Sequence, residues 1–504
     1  MHEKSHAATV IVGSIAATAL AMLLPASVAF TLSEYGPARG FLYSSLLVAS
    51  LAILVHLATR SGASQARTRI HPFAYLSLIY LGLPALMALP LTEAGLELSF
   101  GMAWFEMVSA FTTTGASLIE DEASRSLNLW RATVAWGGGL FLLVVAMAIL
   151  APLNLGGFEM LGITRETTAG VSPAARLQAD PFHDSRVDDL TLARLDAQIR
   201  LIAPVYLALT LVLWVMLSMA GSPPLLALTL AMSTLSTAGI APEGVISGPV
   251  VEVLVLIFLL PALSRRAWPG ARQWRGQGSI LRDPEVRLAM VVVAGVSLVM
   301  LVRHLLHTGG QEPPEALAKL WGVVFTAIAF LTTAGFVANT GDVVSGVFGG
   351  PAGIVLLGLA MIGGGVATTA GGMKLLRVFA LYWQARHGLD RLVHPEGVGG
   401  DGPRLRGLRS HGAFAAWLFL MTFIFALSAV TAALTLLGMP FEDAMIYTVA
   451  ALTTTGPLAE IAGAAPLSWA SLDMPEQIIL GFGMVLGRLE FLLLLSVLWW
   501  QGRG

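Results

Sequence analysis

The chain has 504 residues, of which 56% are hydrophobic and 12% charged, with a net charge of −2 and no cysteine. Soluble domains carry about 25% charged residues, so the hydrated surface that soluble domains of this length would need is missing. The missing thiols exclude disulfides, thiolate metal sites and cysteine nucleophiles, and the absence of a basic excess gives no support for a nucleic-acid partner. What remains is an integral membrane protein, and 53 glycines suit closely packed membrane helices.

A bilayer core about 30 Å thick takes roughly 20 apolar residues per helix. In chain order, such runs fall at about 7–30, 39–59, 71–91, 130–152, 198–220, 248–264, 286–308, 350–381, 412–437 and 475–500. The first has Lys4 ahead of it and Ser27-Val28-Ala29 near its end, but its apolar stretch is longer than a signal-peptide core and is read as a span. Four stretches of about a dozen residues, near 101–112, 224–236, 318–332 and 441–453, are too short to cross and are read as re-entrant. After an initial pair of spans (1–60), long–short–long recurs four times, over 61–160, 196–268, 285–385 and 411–504.

With residue 1 in the cytoplasm, ten crossings return the C-terminus there. The inner segments and adjoining helix ends then hold 23 Lys+Arg and the outer ones 5, which fixes the orientation by the positive-inside rule. Arg265, Arg266, Arg272, Arg275, Arg282 and Arg287 form one inner basic cluster, and Arg386, Arg391, Arg404, Arg406 and Arg409 another. Both either set topology alone or dock a cytoplasmic partner. The sequence has no H-E-x-x-H and no G-x-S-x-G, and Gly481–Gly487 is one residue too long for a dinucleotide fingerprint. No enzymatic activity is expected.

Each short stretch ends in [Ser/Thr]-Thr-[Thr/Ala]-Gly: Thr112-Thr113-Thr114-Gly115, Ser236-Thr237-Ala238-Gly239, Thr332-Thr333-Ala334-Gly335 and Thr453-Thr454-Thr455-Gly456. Thr167–Gly170 and Thr368–Gly371 also match, but the first follows Glu166 in an inner loop and the second lies inside a long apolar run. The four in register each follow a large apolar residue at the end of a short helix. A half-helix ending inside the membrane points its carbonyls, the negative end of its dipole, at whatever lies there. Non-helical backbone is tolerated at that depth only where it is buried in protein or lines a watery cavity. Neutral oxygens without carboxylates suit a weakly hydrated monovalent cation, whereas a divalent ion would want Asp or Glu in the motif.

In this layout and these motifs the chain resembles the TrkH/KtrB potassium-uptake membrane subunits, over nearly its whole length. The resemblance implies an all-α polytopic fold with about ten transmembrane helices, four re-entrant pore helices and four pseudo-symmetric repeats around one pore. It implies K⁺ as the transported ion, bound by the filter carbonyls of Thr113, Thr114, Gly115, Thr237, Ala238, Gly239, Thr333, Ala334, Gly335, Thr454, Thr455 and Gly456, with no covalent cofactor. Glycine in all four copies accompanies K⁺ in the family. Ala238, where glycine is frequent, and Thr453–Thr455, where Asn-rich variants are common, are departures that bear on fine selectivity. The resemblance further implies a multi-pass protein of the bacterial inner membrane, a homodimer, and a separate cytoplasmic nucleotide-binding ring (TrkA/KtrA-like) as regulatory partner.

Two features read as a gate. The eighth apolar run is interrupted by Gly363, Gly364, Gly365, Thr368, Thr369, Gly371 and Gly372, more glycine and threonine than helix packing requires. It resembles the family's intramembrane loop beneath the third filter, with Ala367 and Ala370 where glycine is frequent. Arg488, mid-span in Gly487-Arg488-Leu489-Glu490, is an intramembrane charge and a functional candidate by default. In the family it is a barrier below the filter, and the alternative is a structural pair with an acid. Glu120, Asp121, Glu122, Glu243, Asp342 and Glu460, downstream of the motifs, are expected either to make a cation-attracting mouth or to be solvated loop residues. A secondary transporter with discontinuous helices, for Na⁺ or a small cationic substrate, is the rival reading, disfavoured by four equivalent motifs rather than a pair.

Overall fold

A computed structural model of the chain describes residues 6–61, 72–93, 98–119, 124–151, 185–241, 248–268, 283–308, 313–339, 353–393, 411–463 and 465–489. Its extended elements are helices, as apolar runs in lipid must satisfy their backbone internally. The initial spans are α1 (His6–Ala21), continued after Met22 by α2 (Leu23–Thr31), and α3 (Tyr35–Ser61). The first repeat has α4 (Pro72–Met87), α5 (Leu89–Glu93), the short α6 (Phe100–Phe111) and α7 (Arg125–Val145), the last extended by a π turn over Ala146–Leu150. Next come α8 (Ser185–Met219), the short α9 (Pro224–Ser236) and α10 (Pro249–Leu259), which runs into 3₁₀ turns at Leu260–Leu263 and Arg265–Ala267. The third set is α11 (Pro284–Thr308), α12 (Pro313–Leu331), α13 (Gly353–Ile362) and α14 (Leu375–Val393). The fourth is α15 (His411–Leu436), α16 (Phe441–Leu452), α17 (Leu458–Ala462) and α18 (Met474–Leu489).

Among the described residues, seven helical segments are long and apolar enough to cross a bilayer, against ten long runs in the sequence. The remaining three runs are α10 with its 3₁₀ extension, the run broken between α13 and α14, and α18, whose last expected residues lie outside the described ones. The short helices fall where expected, except that α12 begins at Pro313, ahead of its apolar stretch, under a Pro-Pro start that fixes φ for a first turn. Leu46, Leu47, Ile53 and Leu54 on α3 and Val291, Leu298 and Val299 on α11 are exposed, while the motif threonines are buried. Apolar outside and polar within is the arrangement a lipid solvent selects, and the chain is a multi-pass membrane protein.

The short helices are cradled in a cyclic order. Each packs on helices of its own repeat: α6 on α4 and α7, α9 on α8 and α10, α12 on α11 and α13, α16 on α15 and α18. Each also packs on the last span of the preceding repeat: α9 on α7, α12 on α10, α16 on α13, and α6 on α18. The last of these contacts closes the ring of four.

Candidate ion-conduction site

All four short helices end in the same way. The second motif residue adopts left-handed φ: 57° at Thr113, 55° at Thr237, 57° at Thr333 and 55° at Thr454. Its N–H donates to the carbonyl three residues back (Thr113 to Ala110, 2.8 Å; Thr237 to Thr234, 3.2 Å; Thr333 to Phe330, 3.1 Å; Thr454 to Ala451, 3.2 Å). The next N–H reaches five residues back (Thr114 to Ser109, Ala238 to Ser233, Ala334 to Ala329, Thr455 to Ala450; 2.8–3.0 Å). This is the Schellman helix ending, which ordinarily places glycine at the left-handed position. A β-branched residue there is a true outlier, at about 1–2 kcal/mol each. Four strained threonines in register mark a site where side-chain identity outweighs backbone comfort.

The motif glycines carry the chain past one another. A Cβ on Gly115 (φ 77°) would overlap the Ala238 carbonyl oxygen, and one on Gly239 (φ 70°) would overlap the Ala334 oxygen and the Pro457 ring. One on Gly335 would meet Pro457, and one on Gly456 would overlap the Thr114 oxygen and the Ala116 nitrogen. Copies 1-2, 2-3, 3-4 and 4-1 therefore touch, and the twelve predicted filter residues come together as one ring. Copy 4 departs from the other three. Gly456 is not left-handed; its N–H donates to Thr114 O (2.6 Å) and its carbonyl accepts from the Trp469 indole (3.1 Å). The physical reason is Pro457, which restricts the residue before it to extended backbone and opens α17. In this conformation the Gly456 carbonyl spends one of its two lone pairs on Trp469.

The predicted gate elements abut three of the left-handed threonines. Between α13 and α14, residues 363–374 leave the helix: the Gly371 N–H donates to Thr333 Oγ1 (2.7 Å), and a Cβ on Gly371 would overlap Thr453 O and Thr454 Oγ1. Gly363 and Gly372 have positive φ and touch each other, closing the neck of the loop. Thr368 Oγ1 donates to Ala262 O (3.0 Å), while the buried Thr369 hydroxyl has no hydrogen-bond partner among the described residues. Gly364 and Gly365 lie against the backbone of Ala262 and Leu263. The 368–371 tetrapeptide ends no helix, which separates it from the true copies, and the 167–170 copy lies outside the described residues. Arg488, buried in α18, donates through Nη2 to Thr113 Oγ1. Its electrostatic neighbours are Tyr80 and Tyr206, whose buried hydroxyls have no hydrogen-bond partner among the described residues.

Glu490, the suggested partner of Arg488, lies outside the described residues, as do Glu120, Asp121, Glu122, Glu243 and Asp342. Glu460 is exposed in the first turn of α17. Two carboxylates that sequence reasoning passed over support the ring. Glu106, on α6, pairs with Arg131 of α7 (2.5 Å) and accepts the Leu118 N–H (2.8 Å) just past Gly115. Glu252, on α10, accepts from the Trp321 indole (2.7 Å) and the Asn339 N–H (2.9 Å) just past Gly335. The signal was available, since an acid inside an apolar run is functional by default. Glu106→Ala leaves Arg131 buried without its charge partner, and loss of one member of such a pair costs about 3–5 kcal/mol. The expected outcome is a sharp drop in the thermal unfolding temperature of the detergent-solubilised protein, and an unchanged midpoint would remove the pair from the supporting frame.

The chain is similar to known proteins in sequence and in fold. The TrkH family model, described as a cation transport protein, matches residues 253–498. The Trk system potassium uptake protein TrkI of Halomonas elongata is 27% identical over 475 residues, 90% of this chain and 89% of that one. The TrkH protein of Salmonella typhimurium is 27% identical over 483 residues, 94% of each. The crystal structure of the potassium transporter TrkH from Vibrio parahaemolyticus superposes with a TM-score of 0.76 at 25% identity, covering 99% of both chains. Over residues 253–498 the chain matches the TrkH model of cation transport proteins, and over nearly its whole length it is similar to Trk potassium uptake proteins in sequence and in fold.

Proposed function

We propose that the chain takes up K⁺ across the bacterial cytoplasmic (inner) membrane, through one pore formed by four repeats over 61–160, 196–268, 285–385 and 411–504, with 1–60 as an added helix pair. The observation that carries this reading is the closed ring of four Schellman-ended half-helices. Such a ring offers neutral backbone oxygens from Thr113–Gly115, Thr237–Gly239, Thr333–Gly335 and Thr454–Gly456 to an ion that must shed its water. Carbonyl oxygens without carboxylates replace the hydration shell of K⁺ and release it again. The names of the relatives, Trk system potassium uptake proteins, support the same ion. Fourfold rather than paired half-helices favour conduction along an axis over rocking of two halves.

Thr114 O accepts the Gly456 N–H and Gly456 O accepts the Trp469 indole, and each keeps a second lone pair for an ion. Below the ring the ion meets the 363–374 loop and the Arg488 guanidinium. Both termini face the cytoplasm, on the strength of the inner excess of Lys and Arg. The working assembly is a homodimer carrying a separate nucleotide-binding ring at its cytoplasmic face. Nucleotide acts through that ring, and transport involves no covalent cofactor or enzymatic step in this chain.

Purified protein in liposomes tests the reading by uptake under an imposed ion gradient. The expected order is K⁺ and Rb⁺ well above Na⁺, and absence of any cation flux from folded protein would sink it. The reversal potential under combined K⁺, Na⁺ and H⁺ gradients then shows whether a second ion moves with K⁺.

A further inference from the structure

The 363–374 loop is held by a buried charge that the conduction reading does not use. Glu285 sits in the first turn of α11, fully buried, and its Oε1 accepts the Val366 N–H at 2.9 Å. Arg265, in the 3₁₀ turn that ends α10, brings Nη1 to 3.6 Å from Glu285 Oε2 and is itself buried. The pair is framed by a second one. Asp283 accepts from the Ser264 hydroxyl (2.8 Å) and lies 3.1 Å from Arg266. The same 260–264 turn takes the Gly365 N–H (2.9 Å) and the Thr368 hydroxyl (3.0 Å) on the Ala262 carbonyl. Among the described residues Glu285 Oε2 has no hydrogen-bond donor, with Arg265 Nη1 standing at 3.6 Å, so this carboxylate is incompletely satisfied in a low-dielectric place. A well-packed apolar residue would serve stability as well or better.

We propose that Glu285 is a positioning residue, the latch that keeps the loop across the ion path, with Arg265 fixing its carboxylate. The inference rests on the reading of 363–374 as the constriction. A carboxylate–amide bond is among the stronger hydrogen bonds and yet a single contact, which suits a segment that must be held and released. Arg265 and Glu285 stand at the two ends of the inner segment joining repeats 2 and 3, part of the basic face expected to meet the regulatory ring. A displacement of Glu285 therefore reaches the Val366 N–H directly.

The chain has no cysteine, so Val366→Cys adds a unique, buried reporter beside the latch. In proteoliposomes, maleimide labelling of that cysteine from the cytoplasmic side and K⁺ flux without the reporter are measured in parallel. Glu285→Ala is expected to raise both by about tenfold, the order of a lost hydrogen bond to a charged group. Glu285→Gln, which keeps an acceptor for the Val366 N–H but not the charge, is expected to raise both about threefold. The K⁺/Na⁺ ratio stays at its original value, because the filter is untouched. If Glu285→Ala does not fold, Glu285→Gln and Arg265→Gln carry the test. Unchanged labelling and flux in either folded variant overturns the proposal. Faster labelling with no cation flux from any form, the unsubstituted chain included, leaves the latch standing and removes the conduction reading instead.

Discussion

Replacing Arg488 with alanine is expected to raise K⁺ flux, where loss of an ordinary buried side chain would lower it. The guanidinium is buried in α18, is bonded to the Thr113 hydroxyl in motif copy 1, and forms no ion pair with a carboxylate among the described residues. A cation passing about 5 Å from such a charge meets roughly 3 kcal/mol of repulsion at an effective dielectric constant near 20. Each 1.4 kcal/mol is tenfold in rate. The loop remains as a second obstacle, so the expected gain is on the order of tenfold rather than the full electrostatic figure. Arg488→Lys keeps the charge and is expected to stay near the unsubstituted rate, while Arg488→Gln follows alanine. Uptake of K⁺ into liposomes, normalised to folded protein, measures all three. Equal flux in alanine, glutamine and lysine variants would mean that the charge is no barrier.

Gly115→Ser is expected to weaken discrimination between K⁺ and Na⁺ by about tenfold, with transport retained. Gly115 sits at φ 77°, where an L side chain costs about 1–2 kcal/mol, and its Cβ would overlap the Ala238 carbonyl oxygen. The clash falls between copies 1 and 2, so on the proposed reading it displaces the oxygens that would replace the hydration shell rather than the helices that hold them. Gly137 in α7 is the control: a Cβ there meets nothing within 4 Å, and Gly137→Ala should leave selectivity unchanged. Competition of Na⁺ against K⁺ uptake reads the ratio directly. An unaltered ratio in folded Gly115→Ser protein would remove Gly115 from the filter.

The broad plan was legible because lipid imposes it. Run length separates helices that cross from those that stop midway, and the four tetrapeptides mark where the short ones end. Left-handed threonines were not legible, since propensity assigns that position to glycine and only a crowded ring can hold Thr113, Thr237, Thr333 and Thr454 there. The ordered start of α8 at Ser185, ahead of the apolar run, was missed because hydropathy follows lipid contact and not helix continuity. Gly456 was expected to match the other three glycines. The neighbouring Pro457 was visible in the sequence, and its restriction on the preceding residue was the signal for the difference. Charge counting placed Arg131 with the outer segments, yet it is spent inside the protein on Glu106. Glu285 and Val366 are 81 residues apart. Pairings of that kind depend on how repeats pack, and no local pattern announces them. Scarce charge in a chain that is 12% charged is thus placed beside the motif ring and the 363–374 loop.

The most direct test of one K⁺ path through four repeats is anomalous diffraction from crystals grown in Rb⁺, with the ion located against the four copies. The expected result is Rb⁺ density inside the ring of Gly115, Gly239, Gly335 and Gly456, bounded by backbone oxygens of at least three copies. Rb⁺ bound elsewhere in the membrane region, with the ring empty in protein that transports Rb⁺, would contradict it.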